Sequence, residues 1–304
     1  MIDYQNLASS INIQQFTGTD GVSWQTWYKP RNAMLIHILC IGAGAGGGSG
    51  RIDAGTVSST GGSGGQPGCI TSYYVPAFLI PDTLYMCPGL GGAGGASVSG
   101  TVATNGNDGT DGGISYVGVY PNVSLPGNLL LQSSITTAGA GIGGVTGVTY
   151  TVGLAPTPIN LSSLSSYYLS LGTFSSTNGA AATISTTSGF FSAMVSGGGV
   201  GGFIQATNAP KAGAGWASTI TSIAPSLLGG AAGGGLGLSG ISTKKPLFFA
   251  PGSGGGSSLT IGGDGGNGAN GCGGGGGGAA VTGASNRSGK GGNGGNGIII
   301  ITSY

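Results

Sequence analysis

Residues 42–47 read GAGAGG, which contains the spacing GxGxxG directly after an apolar stretch. In a dinucleotide-binding fold such glycines bring the backbone against a pyrophosphate at the start of a helix. Here Ser49-Gly50-Arg51-Ile52-Asp53-Ala54-Gly55 and then more glycine follow, so no amphipathic helix can be drawn and the match is one of chance. The only histidine, His37, lies inside MLIHILCI (34–41), a setting that predicts a core or subunit-interface residue. No Ser-His-Asp or Cys-His arrangement can be assembled around it. Asp108 and Asp111, in NGNDGTDG (105–112), have the composition of a calcium loop. An EF-hand loop ends on a glutamate, the chain has none, and a Gly/Asn/Asp turn is expected. Cys40, Cys69, Cys87 and Cys272 share no CxxC spacing and are expected to be reduced and buried as small hydrophobes. One histidine with scattered cysteines does not supply a zinc site. Seven dispersed aspartates give no positioned pair for glycoside hydrolysis. The residues therefore predict no enzyme, no cofactor and no metal. Tyr73, Tyr74, Tyr167 and Tyr168 are the candidate contacts with a host surface, because tyrosine joins apolar area to a hydroxyl that suits sugar or protein recognition.

The elements that would position these residues are unusual. Of 304 residues, 72 are glycine, and each costs roughly 0.5–1 kcal/mol of extra backbone entropy relative to alanine. A chain that folds in spite of this needs a structure that only glycine permits. A polyglycine form of the left-handed three-residue helix is such a structure. It rises about 3.1 Å per residue and makes no internal hydrogen bonds, so neighbouring rods must satisfy one another. The stretch 261–297 is the centre of this expectation. GGDGGNG (262–268) and GGNGGNG (291–297) put Asp264, Asn267, Asn293 and Asn296 on a polar edge, and the all-glycine run 273–278 can be enclosed all round.

The run 34–41 reads as a strand with Leu35, His37, Leu39 and Ile41 on one face and Ile36, Ile38 and Cys40 on the other. Its natural partner is 298–302, IIIIT, which brings the two ends of the chain together around the glycine tracts. Shorter strands are expected at 13–16, 24–28, 115–120 and 128–136. A helix is drawn only across Leu161, Leu164, Tyr167, Tyr168 and Leu171. The fold class is mostly β and irregular: short β-strands from both termini frame a packed bundle of polyglycine-type helices, with almost no α-helix. Residues 1–33 form an N-terminal arm and first strands. Residues 34–304 form a single glycine-rich domain with Gly-poor loop excursions at about 69–88, 114–137 and 148–195.

Charged residues make up 5% of the chain and the net charge is +1, against about 25% charged residues in ordinary globular proteins. That leaves no electrostatic footprint for nucleic acid or for a membrane surface. The start of the chain shows no secretory pattern, and 34–41 is far too short to span a bilayer. A neutral Ser/Thr/Asn/Gly surface offers little repulsion between copies and favours assembly.

Trp27-Tyr28-Lys29-Pro30, then an apolar strand entering GAGAGGGSG, then Pro81-Asp82-Thr83-Leu84, repeated glycine clusters and the closing GGNGGNGIIIIT form a pattern over most of the chain. It resembles the glycine-rich virion proteins of tailed phages and related viruses, of tail-fibre, adhesin or head-fibre type. The resemblance implies packed polyglycine helices, frequent trimeric assembly, contacts with other virion proteins, and a location in the virion after assembly in the host cytoplasm. For adhesins it implies variable Gly-poor loops that bind a host glycan or protein. The expected role is a rigid structural component of the virion. The alternative is a receptor-binding adhesin, and a polysaccharide-cleaving enzyme is the third class.

Overall fold

The two most apolar runs of the chain do pair. In the computed structural model, which describes residues 11–18, 20–125, 127–157, 182–183, 195–217, 226–244 and 247–304, eight strands build two four-stranded antiparallel sheets. In chain order they are β1 (Asn12–Thr17), β2 (Gln25–Tyr28), β3 (Leu35–Ile41), β4 (Ile70–Pro76), β5 (Thr83–Cys87), β6 (Tyr116–Gly118), β7 (Leu129–Gln132) and β8 (Ile298–Ser303). The first sheet has the order β1-β8-β3-β4 and the second β2-β5-β6-β7. Ile298 faces Ile41 and Thr302 faces His37 across the β8–β3 pair. The only helical turn among the described residues is Ala77–Leu79.

Strand alternation sorts the apolar side chains between two layers. Ile36, Ile38 and Cys40 with Ile299 and Ile301 face Trp27, Leu84, Met86, Val117 and Leu131 of the second sheet and form the sandwich core. On the other face Leu39, Ile41, Ile298 and Ile300 pack against Val195, Phe249, Ala269 and Cys272. The segment 69–88 supplies β4 to one sheet and β5 to the other.

Strands run directly into rods. β3 ends at Ile41 and the extended run 42–52 begins at the next residue, while 287–297 leads into β8. Along 42–52 the backbone N–H groups point to three neighbours in turn. Gly44, Gly47 and Gly50 donate to the carbonyls of Gly295, Gly292 and Gly289. Ala45, Gly48 and Arg51 donate to Gln66, Ser63 and Thr60, and Gly46, Ser49 and Ile52 to Thr110, Asn107 and Thr104, all at 2.9–3.3 Å. The carbonyls follow the same period: those of Gly44, Ala45 and Gly46 accept from Gly92, Gly274 and Gly141 on three further rods. Three neighbours by donation and three by acceptance make hexagonal packing of helices with three residues per turn. The runs 252–258 and 272–279 are enclosed in the same way. At about 3.1 Å per residue, 42–52 is about 34 Å long.

Glycine is needed inside the bundle for space. The glycines with positive φ, such as Gly55, Gly100, Gly147 and Gly271, lie outside the runs 42–50 and 273–278. A Cβ on Gly44 would instead fall within van der Waals contact of the Cys272 carbonyl, and one on Gly276 within that of the Gly62 carbonyl. The direction is regular: a Cβ at Gly276 points to the rod whose Gly62 N–H bonds the carbonyl of residue 277. A side chain inside the bundle is therefore confined to positions where its neighbours leave room, and those found there are small, as at Ala45, Ser49 and Ser253.

Candidate functional site

The expected polar edge is a set of caps. The Asn293 and Asn296 side-chain oxygens accept from the N–H groups of Gly94 and Gly91 at 2.9 and 2.8 Å. Asn267 Oδ1 accepts from the Asn293 N–H at 2.9 Å, and Asp264 Oδ1 from the Lys290 N–H at 3.0 Å. Where a row of donors has no further rod beside it, a short polar side chain reaches across and takes the place of the missing carbonyl. An uncapped N–H in such a place costs about 1–3 kcal/mol if it stays dry.

Asp108 and Asp111 belong to the same device, and the turn expected there is an extended perimeter rod. Residues 106, 109 and 112 are its glycines and face the 42–52 rod. Asp108 Oδ1 accepts from the Gly143 N–H at 2.7 Å, and Asp111 takes the Ala140 N–H and the Thr137 hydroxyl, each at 2.9 Å. Their carboxylates are directed at backbone donors, and no group of three or more His, Cys, Asp or Glu among the described residues is placed to hold a metal ion. The GAGAGG run lies inside the 42–52 rod, enclosed by six others, so a pyrophosphate has no approach to its backbone.

The four candidate tyrosines separate. Tyr167 and Tyr168, with the helix drawn across 161–171, lie outside the described residues. Tyr73 packs against the sandwich core. Tyr74, one residue on, points the other way and is 48% exposed. It stacks on His37, the two rings 4.1 Å apart and 7° from parallel. Register explains the contact, because Tyr74 and His37 are direct partners across β4 and β3. His37 Nε2 also meets Ser72 Oγ at 2.9 Å, and burial lowers its pKa from 6.5. His37 is thus half-buried on the outer face of the first sheet.

A surface missed by sequence reasoning lies at the end of the sandwich away from the rods. Tyr28, Arg31, Phe78 and Asp82 line a groove of about 530 Å³, with Phe78 83% exposed. Lys29 holds it open: its Nζ donates to the carbonyls of Ala77 and Ile80 at 2.9 Å each and pairs with Asp82 at 2.9 Å. No short motif in the sequence marks this groove; the isolated lysine between two aromatic residues and a proline is the only signal.

All four cysteines are buried free thiols. Burial pushes Cys69 up to about 11 and Cys272 up to about 12, which removes the thiolate that redox or nucleophilic chemistry needs.

Backbone interior, side-chain caps and a capping sandwich define a class of protein in which glycine is the structural material. The chain matches the family described as Glycine-rich domain over residues 18–304 and belongs to it. No curated protein matches the chain.

Proposed function

We propose that the protein is a non-catalytic structural component of a virion, a surface fibre or spike or a minor capsid or tail component. In this reading the rod bundle is a rigid body, and copies of the chain assemble with one another and with other virion proteins. The observation that carries the reading is the hexagonal bundle, in which every N–H of 42–52 and 272–279 is bonded to another rod. Each such bond is worth about 0.5–1.5 kcal/mol net, and together they leave these runs little opportunity to open to a protease. The viral setting rests on the sequence pattern that ends in GGNGGNGIIIIT. The test is mass spectrometry of gradient-purified particles from cells carrying the viral genome that encodes the chain. Recovery of the intact chain with the particles is expected, and its absence from them overturns the reading.

The exposed Tyr74–His37 pair and the Tyr28–Phe78 groove favour a second reading, a receptor-binding adhesin. The whole of 69–88 cannot be exchanged to test it, because β4 and β5 lie there. Substituting Tyr74 and Phe78 together is the appropriate test. Lost adsorption to host cells with particles intact supports the adhesin, and unchanged adsorption removes it.

A further inference from the structure

Several backbone edges among the described residues are guarded. The perimeter rods carry side chains over their open sides, as Asn267, Asn293, Asp108 and Asp111 do. In the first sheet, β4 is tied by the Thr71 hydroxyl to the Ser133 carbonyl at 2.9 Å and ends at Pro76. The other edge, β1, is less guarded: among the described residues a side-chain cap is seen only at its end, where Gln25 Nε2 donates to the Thr17 carbonyl at 2.7 Å. It is terminal in its sheet. Its sequence, NIQQFT, has no charge and no proline, and its six-residue register against β8 runs without a bulge. Natural sheets usually blunt such an edge with lysine, proline, a bulge or a covering segment. Here Ile13 is 61% exposed and Ile11 is exposed beside it.

We propose that β1 pairs antiparallel with β1 of a second copy of this chain, so that the two four-stranded sheets join into one across a two-fold axis. The second copy is the partner because the edge complements itself. A two-fold axis normal to the sheet sets the same uncharged strand antiparallel to its own image, with outer face beside outer face, as an isologous interface requires. The backbone groups supply the bonds, as in other strand additions. Ile11 and Ile13 of both copies then meet on one face, next to the row Thr302, His37 and Tyr74 that register places beside Ile13. Neither edge brings a charge that would oppose the pairing.

The inference rests on the self-assembly in the proposed function, and the two fail separately: particle content tests one and native mass the other. Sedimentation equilibrium of the intact chain is expected to give twice the 28.9 kDa of one protomer. Ile13→Lys, which sets like charges against each other at the joint, should give single protomers that still melt cooperatively. Val102→Lys, exposed but away from β1, should leave the pair intact. If Ile13→Lys fails to fold, Gln15→Lys on the same exposed edge decides. A wild-type mass of one or three protomers, or a dimer that survives the β1 lysine, overturns the proposal.

Discussion

A methyl group added at Gly276 would meet the carbonyl oxygen of Gly62 and the amide of Gly201, and six surrounding rods leave neither of them room to move. Gly276→Ala should therefore cost about 3 kcal/mol, the upper part of the range for overpacking, or prevent folding. Asn293→Ala removes only the cap on Gly94, which lies near water, and should cost about 1 kcal/mol. Urea denaturation of the two variants checks the contrast, and similar losses would show that the rods are not tightly enclosed. At the same scale, burial holds the pKa of His37 below 6.5. The unfolded chain then binds the proton more readily, so the stability is whole above about pH 6.5 and falls as the pH drops from there through the folded value. The Ser23 hydroxyl, with the amides of Ser23 and Val22, holds Asp20 down to about 2, well away from this window. Melting temperatures at pH 7.5 and 5.5 should differ more for the wild type than for His37→Gln.

At the scale of the element, the three-residue period has a direct signature. In the rod 104–113, Gly106, Asn107, Gly109 and Thr110 donate their N–H groups to neighbours. Asn105, Asp108 and Asp111 have no N–H partner among the described residues. Amide exchange should thus be fast at 105, 108 and 111 and slow at the residues between them, a pattern of period three that neither a strand nor a coil gives. Uniformly fast or alternating exchange along 104–113 would refute the rod. The same geometry shows how much was legible in the sequence. The all-glycine run 273–278 has a rod on every side, GGN at 291–297 leaves one side for side chains, and Gxx at 106–112 leaves two; 42–52 shows that buried Ala and Ser can also stand in an enclosed rod. The β3–β8 pair was legible because both runs are apolar on both faces. The turn expected at 105–112 was a misreading of a corner rod, since Asn, Asp and Gly also make turns. Tyr73 and Tyr74 looked alike until register sent them to opposite faces. Which rods are neighbours was not legible at all, because nearly identical glycine backbones carry no code for their partners. Only the capping side chains do, and they act from the edge.

For the whole molecule, chain order and spatial order conflict. The run 272–279 comes late in the sequence, yet it lies between 42–50, 62–68, 196–202 and 252–255 and bonds all of them. β8, at the end of the chain, lies between β1 and β3, from its start. The centre of the bundle and the middle of one sheet are thus both completed by residues 272–304. Contacts this distant in sequence require long loops to close first, which makes folding slow and cooperative. A chain ending at Pro251 would lack 272–279 and β8 together, leaving the N–H groups of Gly62 and Gly65 without acceptors, β1 without a partner and β3 paired on one side only. It is expected to show no cooperative melting transition, although its first 250 residues hold most of the glycine. The thiols provide the readout in the intact protein. Cys40 lies in the sandwich core, and Cys272 on the opposite face of the same sheet. If bundle and sandwich unfold as one unit, an alkylating reagent should reach both cysteines at a single urea concentration; modification of Cys272 well before Cys40 would show that the bundle opens alone.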